Sequence, residues 1–257
     1  MDKKIPENDI KVESKGAAAL ENFWYYHKWK VIVSLFVAFV IGVCVWSCLA
    51  KPKIDISLLY VGSFDPMDAA TQEMTETLSK IEPSSVGTNG VGLNMLTYYT
   101  EEQAKELAEK SVNAYIAEEN KNGIFYDEEE RLSLINRQID RYNSMTAGTQ
   151  KSLGSHIGAG NYMLYLLDPE VYEAYRGNGV FVDLSSVFGE NVPSSAYSDD
   201  AIKLSETALY KNDPNGIGKL PKDTLICLRI EPVFSGCGGS HSEDYEKAVE
   251  MFKVMSK

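Results

Sequence analysis

The sequence YMLYLLDPEVYEAY, residues 162–175, carries the clearest structural signal in the chain. Its apolar first half, residues 162–167, is typical of a strand that is buried on both faces of a sheet. Asp168 is then a good helix N-cap and Pro169 a good first helical residue. The stretch therefore predicts a strand that leads directly into a short helix, whose buried side chains are Val171, Tyr172 and Tyr175.

The same order of signals occurs earlier in the chain. Residues 54–61, IDISLLYV, predict a strand, and Asp65 and Pro66 follow as cap and first helical residue. Helical spacing then predicts one buried face made of Ala70, Met74, Leu78 and Ile81.

Three more helices and three more extended segments follow from the remaining pattern. Residues 90–99 predict a strand, and residues 100–103 form a capping box that opens a helix. We expect its buried residues to be Ala104, Leu107, Ala108, Tyr115 and Ile116. Asp127 caps a third helix, with Leu132, Ile135, Ile139 and Tyr142 on its buried face.

Residues 158–161 predict a loop, and residues 202–209 and 224–230 predict extended segments. A final helix follows Ser242, and its expected buried residues are Tyr245, Ala248, Val249, Phe252 and Met255. Strands that alternate with helices indicate an α/β fold with a mainly parallel sheet and flanking helices.

The segment Val31–Ala50 predicts a transmembrane helix. Its 20 residues carry no charge, and a helix of that length spans about 30 Å, the hydrocarbon thickness of a bilayer. The aromatic residues at 23–29 are suited to the headgroup region. We therefore expect residues 1–30 to be a cytoplasmic tail, irregular up to residue 22 and followed by this interfacial segment. Residues 51–257 are then the folded domain.

Two alternatives to a membrane span are a cleaved signal peptide and lipidation at Cys48. The leader before the apolar segment is long for a signal peptide, and Trp46 occupies a position where a lipoprotein box needs a small residue. Four lysines at positions 11, 15, 28 and 30 precede the helix, whereas Lys51 and Lys53 follow it. This bias favours a single-pass cell-membrane protein with a cytoplasmic N-terminus and an extracytoplasmic domain.

The charge of the chain is concentrated in the domain. Residues 1–50 sum to +1, and residues 51–257 carry 19 basic and 32 acidic side chains, for a net charge of −13. Such a domain is repelled by phosphate backbones, so nucleic acid is not an expected partner.

The domain has two cysteines, Cys227 and Cys237. On an extracytoplasmic face they could form a disulfide. The alternative is a buried Cys227 on a strand and a separate Cys237 in a loop.

Residues 165–186, YLLDPEVYEAYRGNGVFVDLSS, resemble bacterial extracellular solute-binding proteins, in which a strand ends in Asp and a short helix leads to a Gly-x-Phe-x-Asp-Leu-Ser turn. The preceding HIGAGNYM, residues 156–163, is similar to the lead-in of that family. Residues 202–213 and 219–230 resemble its pair of strands that crosses toward the second lobe. The likeness is loose over residues 54–230 and closer over residues 158–185.

The resemblance implies a single lobe, since such proteins have two lobes in about twice this length and clamp the ligand between them. Only 27 residues follow Ile230, so a second full lobe does not fit. The start of the apolar helix also resembles small membrane-anchored proteins of Gram-positive anaerobes. The resemblance to solute-binding proteins implies a membrane permease as a partner.

The expected ligand site lies at the carboxyl ends of the strands, where open parallel sheets bind small molecules. These ends place Phe64, Asp65, Tyr98, Tyr99 and Asp168 together as candidate ligand-binding residues. The alternative is that Asp65 and Asp168 are helix caps and the tyrosines pack loops.

Neither a cofactor nor a catalytic centre is expected. Cys237 and His241, near Glu243 and Asp244, have a spacing that a metal site could use, but few ligands and a glycine-rich loop give little support. The chain has no Gly-x-Ser-x-Gly elbow, no phosphate-binding loop and no His-Glu-x-x-His motif, so we predict that it is not an enzyme.

The sequence therefore predicts a membrane-anchored, extracytoplasmic ligand receptor or transport accessory. The alternative is a cell-envelope interaction module that keeps the fold and has lost the ligand site. The identity of the solute, the partner protein and the oligomeric state do not follow from the residues.

Overall fold

The computed structural model describes residues 15–49, 54–64, 67, 69–87, 90–231 and 241–257. The chain divides into two compact units, Met1–Pro52 and Lys53–Lys257.

The first unit is one long helix, α1, which spans Lys15–Leu49. Its segment Trp24–Cys44 has a mean hydropathy of 1.7, none of it is buried in the protein, and it is long and apolar enough to cross a membrane. A signal sequence near an N-terminus has the same properties. The prediction of an irregular tail up to residue 22 is wrong from Lys15 onward, because the helix extends well before the apolar segment.

The second unit is built on a five-stranded mixed sheet in the order β2-β1-β3-β5-β4. Its strands are β1 (Ile56–Gly62), β2 (Val91–Thr97), β3 (Leu164–Leu167), β4 (Ile202–Lys203) and β5 (Leu225–Leu228). Both β2 and β3 pair in parallel with β1, whereas β5 is antiparallel to β3 and to β4. The predicted α/β fold with a mainly parallel sheet is confirmed, with β5 as the one strand that runs the other way.

Seven helices accompany the sheet in the described part of this unit. They are α2 (Ala70–Ile81), α3 (Glu101–Lys121), α4 (Glu128–Ala159), α5 (Pro169–Tyr175), α6 (Leu184–Phe188), α7 (Ala208–Asn212) and α8 (His241–Met255). Short 3₁₀ turns lie at Leu204–Glu206 and Ile217–Lys219.

Both faces of the sheet are covered. Alternate residues of β1 point to opposite faces, as strand geometry requires. Leu58 and Tyr60 pack with α2 and α8, whereas Leu59 and Val61 pack with α5 and the C-terminal half of α4. The strand β3 is completely buried, as its apolar sequence predicts.

Several predicted helix starts are confirmed in atomic detail. Thr100 and Asp127 each form a capping box at the starts of α3 and α4, and the Asp168 carboxylate accepts a hydrogen bond from the Glu170 amide at the start of α5. The buried face of α2 contains Ala70, Met74 and Leu78 as expected.

Other predictions are corrected. Helix α2 begins at Ala70 rather than at Pro66, and Asp65 and Pro66 lie outside the described residues. Residues 158–159 belong to α4, which ends only where Gly160 adopts φ 68°. Residues 204–209 are not a strand, because the chain turns after Lys203 and Thr207 caps α7 through a bond from the Tyr210 amide.

Helices α3 and α4 form a helical hairpin with its own small core. Ala108, Val112 and Ile135 are buried between the two helices. Only the C-terminal half of α4 reaches the sheet, through residues such as Leu153 and Ile157. Tyr115 and Leu132, predicted to be buried, are exposed on this hairpin, which has too little neighbouring structure to cover them.

Candidate functional site

Three parallel strands end at the same edge of the sheet, as the sequence predicts. Gly62 at the end of β1 pairs with Thr97 of β2, and Val61 pairs with Leu167 of β3. The Tyr98 amide donates a 2.8 Å hydrogen bond to the Gly62 carbonyl, and the Asp168 amide donates a 2.9 Å bond to the Val61 carbonyl. Tyr98 and Asp168 therefore lie on either side of β1.

A cavity of about 340 Å³ lies at this edge, between α4 and α5. This volume falls at the small end of the range for ligand pockets. Among the described residues, its side chains with polar groups are Tyr98, Thr149, Gln150, Glu170 and Tyr175, and its apolar lining is Val61, Leu153, Val171 and Ala174.

Tyr98 forms the inner polar wall of the cavity. Its side chain is 5% exposed, whereas Gln150 and Glu170 are exposed and form the rim. Burial raises the pKa of Tyr98, and the Glu170 and Asp168 carboxylates raise it further. The phenol therefore keeps its proton near neutral pH and can serve as a hydrogen-bond donor.

Glu170 is the charged residue among the described residues that line the cavity. A carboxylate beside a phenol and a carboxamide offers hydrogen-bond acceptors and a negative charge. An anionic solute would be repelled here, so the lining suits a neutral polar or cationic small molecule.

Asp168 has a structural role in this geometry. Its side chain is 6% exposed, and Oδ1 accepts a 3.0 Å hydrogen bond from the Glu170 amide as the cap of α5. Burial raises the pKa of Asp168, and the neighbouring Asp223 and Glu170 carboxylates add to this effect, against the lowering effect of the Glu170 amide. The carboxyl group does not line the cavity.

Phe64 and Tyr99 also pack against protein. The Phe64 ring meets the Tyr60 ring edge-on at 6.5 Å between centroids, and its amide donates to the Tyr60 hydroxyl at 3.1 Å. Gly62 makes this arrangement fit, since a Cβ there would lie 2.7 Å from Tyr60 Cζ. The Tyr99 ring contacts Tyr142 at 4.9 Å, and its amide donates to Thr146 Oγ1.

Of the four candidate ligand-binding residues that the structure describes, only Tyr98 lines the cavity. Phe64, Tyr99 and Asp168 have the packing and capping roles described above, and Asp65 lies outside the described residues. Ligand binding by these residues remains a prediction.

The contribution of α4 to the cavity was not predicted from the sequence, which placed the site only at the ends of strands. Thr149, Leu153 and Ile157 follow one another at intervals of four residues, which marks a buried helical face. Thr149 Oγ1 donates a 2.6 Å hydrogen bond to the Thr97 carbonyl and so ties α4 to the end of β2. Gln150 is the next residue, which places its amide beside Tyr98.

Cys227 is buried on a strand, as one of the two cysteine hypotheses predicts. Cys227 is completely buried on β5 and is a free thiol, and burial raises its pKa well above the usual value. Cys237 and the side chain of His241 lie outside the described residues. Within the described part of the chain, no group of three or more His, Cys, Asp or Glu side chains could hold a metal ion.

Comparison of this chain with protein-family models, with curated proteins and with solved structures finds no match.

Proposed function

We propose that this chain is a membrane-anchored, extracytoplasmic ligand-binding domain that acts as a receptor or as an accessory to a membrane permease. The cavity between α4 and α5 carries the proposal, because it combines a buried phenol with an exposed carboxylate and carboxamide above an apolar floor. Such a lining is typical of small-molecule sites.

Two further features support this proposal. The apolar segment Trp24–Cys44 provides an anchor that would hold the domain close to a permease at a high effective concentration. The site also lies outside the carboxyl ends of parallel strands, where α/β domains bind ligands. The mixed α/β sheet is in keeping with a single lobe related to solute-binding proteins.

The solute that suits the cavity is small, polar and neutral or cationic, because Glu170 supplies its negative charge. Amino acids with basic side chains, polyamines and small sugars fit this description. We expect basic amino acids and polyamines to bind better than dicarboxylates of the same size.

A thermal-shift screen tests the proposal. The full-length chain in detergent is unfolded by heat with and without each solute, and far-ultraviolet circular dichroism records the transition. Tryptophan fluorescence is unsuitable, since Trp24, Trp29 and Trp46 all lie in α1. A solute present at 100 times its Kd stabilises the folded state by about 2.7 kcal/mol, which raises the Tm by several degrees.

The controls use one substitution in the cavity and one outside it. Glu170→Gln removes the charge from the rim and should abolish the shift caused by a cationic solute. Glu173→Gln on the same helix removes a charge that does not line the cavity and should leave the shift unchanged. No shift with any solute class, or an equal shift in both variants, would contradict the proposal.

A cell-envelope interaction module is the second candidate function. The observation that favours it is the exposed apolar end of the helical hairpin, where Ile124 and Phe125 are uncovered. In this reading the cavity is unused and the hairpin presents a surface to another protein.

A further inference from the structure

The end of the helical hairpin lies far from the ligand cavity. Helix α4 has 32 residues and begins at Glu128, whereas its cavity residues begin at Thr149. At 1.5 Å per residue, about 30 Å of helix separates its first turn from the cavity. We use the term hairpin end for residues 115–137, which comprise the last turns of α3, the connecting loop and the first turns of α4.

The hairpin end exposes two large apolar side chains. Phe125 is 76% exposed and Ile124 is 49% exposed, although both lie in a loop that polar residues could have filled. The loop is held in place: the Ile124 amide donates a 3.1 Å hydrogen bond to the Glu119 carbonyl. The hydroxyls of Tyr115 and Tyr126 are 3.0 Å apart, which links helix α3 to the connecting loop.

A groove of about 330 Å³ adjoins this loop along the first turns of α4. Leu134 and Tyr126 contribute to its lining. Its charged side chains are three carboxylates, from Asp127, Glu129 and Glu130, and one cation, Arg137.

Two of the three carboxylates of the groove form hydrogen bonds within the protein, and the third is left for a partner. Asp127 and Glu130 form the capping box of α4. The side chain of Glu129 is exposed and makes no hydrogen bond or ion pair with any described residue. Across the hairpin end, residues 115–137, six acidic side chains face three basic ones. The hairpin end is therefore apolar at its tip and negative around it.

We propose that the hairpin end docks a basic segment of a partner protein, one that carries lysines or arginines on either side of an aliphatic residue. The aliphatic residue would pack on Phe125 and Ile124, and the cations would meet the carboxylates of the groove. Complementary charge of this kind speeds encounter and selects the partner, while buried aromatic contacts hold the complex. This inference deepens the second candidate function and does not depend on the solute cavity.

Charge disfavours two other occupants. A second copy of this chain would bring an identical acidic surface on a domain, residues 51–257, of net charge −13. An anionic bilayer would be repelled by the carboxylates beside Phe125. A basic segment is the occupant whose charge matches the surface.

The test measures peptide binding to the full-length chain in nanodiscs of zwitterionic lipid. The probe is a fluorescein-labelled peptide of alternating lysine and leucine pairs, and fluorescence anisotropy is read against empty nanodiscs. A second peptide with glutamate in place of each lysine serves as the charge control. We expect the lysine peptide to bind, its affinity to fall as salt is added, and the glutamate peptide not to bind.

Substitutions locate the site. Phe125→Ser removes the exposed ring and Glu129→Lys reverses the unpaired charge, and each should weaken binding about tenfold, a change of about 1.4 kcal/mol. Val192→Ser provides a matched control, because Val192 is also an exposed apolar residue, at 40%, and lies outside the hairpin. It should change the affinity by less than about twofold, as expected of a residue outside the interface.

The outcomes separate this inference from the solute-binding proposal. Glu170→Gln should leave peptide binding unchanged, and Phe125→Ser should leave the solute-induced Tm shift unchanged. Peptide binding that survives both hairpin substitutions would overturn the inference. Self-association that depends on Phe125, or Phe125-dependent binding to anionic vesicles, would overturn it in favour of one of the other occupants.

Discussion

At the scale of single residues, a polar side chain that follows a strand can either cap the next helix or line the cavity. Asp168 and Tyr98 occupy equivalent positions after β3 and β2, yet only Tyr98 faces the cavity. The difference arises because a short acidic side chain directly before a helix is drawn to the free amides of the first turn. A tyrosine cannot cap a helix in this way, so its hydroxyl extends further into the space between α4 and α5.

The capping role of Asp168 predicts the effects of two substitutions. Asp168→Ala removes the acceptor of the Glu170 amide and should lower the free energy of unfolding by about 0.5–2 kcal/mol. Asp168→Asn keeps an acceptor for that amide and removes the buried charge. Urea denaturation followed by circular dichroism should find the Asn variant clearly more stable than the Ala variant at neutral pH.

The raised pKa of Asp168 also predicts a pH dependence. The folded state binds this proton more tightly than the unfolded chain does, so the contribution of Asp168 to stability is complete below its unfolded pKa and is lost as the pH rises through its raised folded pKa. The Asn variant has no such loss. The free energy of unfolding of the Asn variant minus that of wild type should therefore be larger at about pH 7 than at about pH 4, which lies near the ordinary pKa of Asp. A constant difference across this range would refute the argument.

At the scale of elements, a complete capping box predicts the start of a helix well. The capping boxes at Thr100 and Asp127 are contained in four consecutive residues, and both are present in the structure. The end of α4 depends on whether Gly158 and Ala159 continue the helix, because either Gly158 or Gly160 could follow the last helical residue. Packing of Leu153 and Ile157 on the sheet favours continuation.

The direction of β5 relative to its neighbours could not be predicted from the sequence either. A strand that is buried on both faces has the same apolar pattern whether it runs parallel or antiparallel to its neighbour. The residues of the cavity could also be predicted only in part. Tyr98 could be predicted because it directly follows a strand. Gln150 could not, because it lies on a helix far from Tyr98 in the sequence, and only the folded domain brings the two residues together.

The hydrogen bond from Thr149 to the Thr97 carbonyl should hold α4 in position against the end of β2. Thr149→Val preserves the shape of the side chain and removes the donor to the Thr97 carbonyl. The free energy of unfolding should fall by about 1–3 kcal/mol, because that carbonyl loses its partner in a largely buried place. Thr149→Ser keeps the hydroxyl and should retain more of the stability, and a Val variant as stable as wild type would show that the bond contributes little.

At the scale of the whole molecule, stability is unevenly distributed. The sheet is covered on both faces by large groups of buried side chains, whereas the core of the hairpin is a group of three buried side chains, those of Ala108, Val112 and Ile135. The hairpin therefore buries much less apolar surface per residue than the sheet and its covering helices do, and so it is less stable against local opening.

This difference predicts the pattern of hydrogen exchange. Amides in residues 112–135 should exchange through local opening, well before those of β1 and β3, which should require opening of the sheet. Mass spectrometry of peptic peptides from the full-length chain would measure both regions. Equal protection of the two regions would mean that the hairpin and the sheet unfold as one cooperative unit.

The central position of β3 has a consequence for synthesis of the chain on the ribosome. Leu58 of β1 pairs with Leu164 of β3, 106 residues later in the chain, and the whole hairpin lies between them. One edge of β1 therefore has no strand partner while α3 and α4 are being made. Contacts that close so long a loop form slowly. During that interval the nascent domain exposes an apolar strand edge, the kind of surface that chaperones cover and that otherwise aggregates.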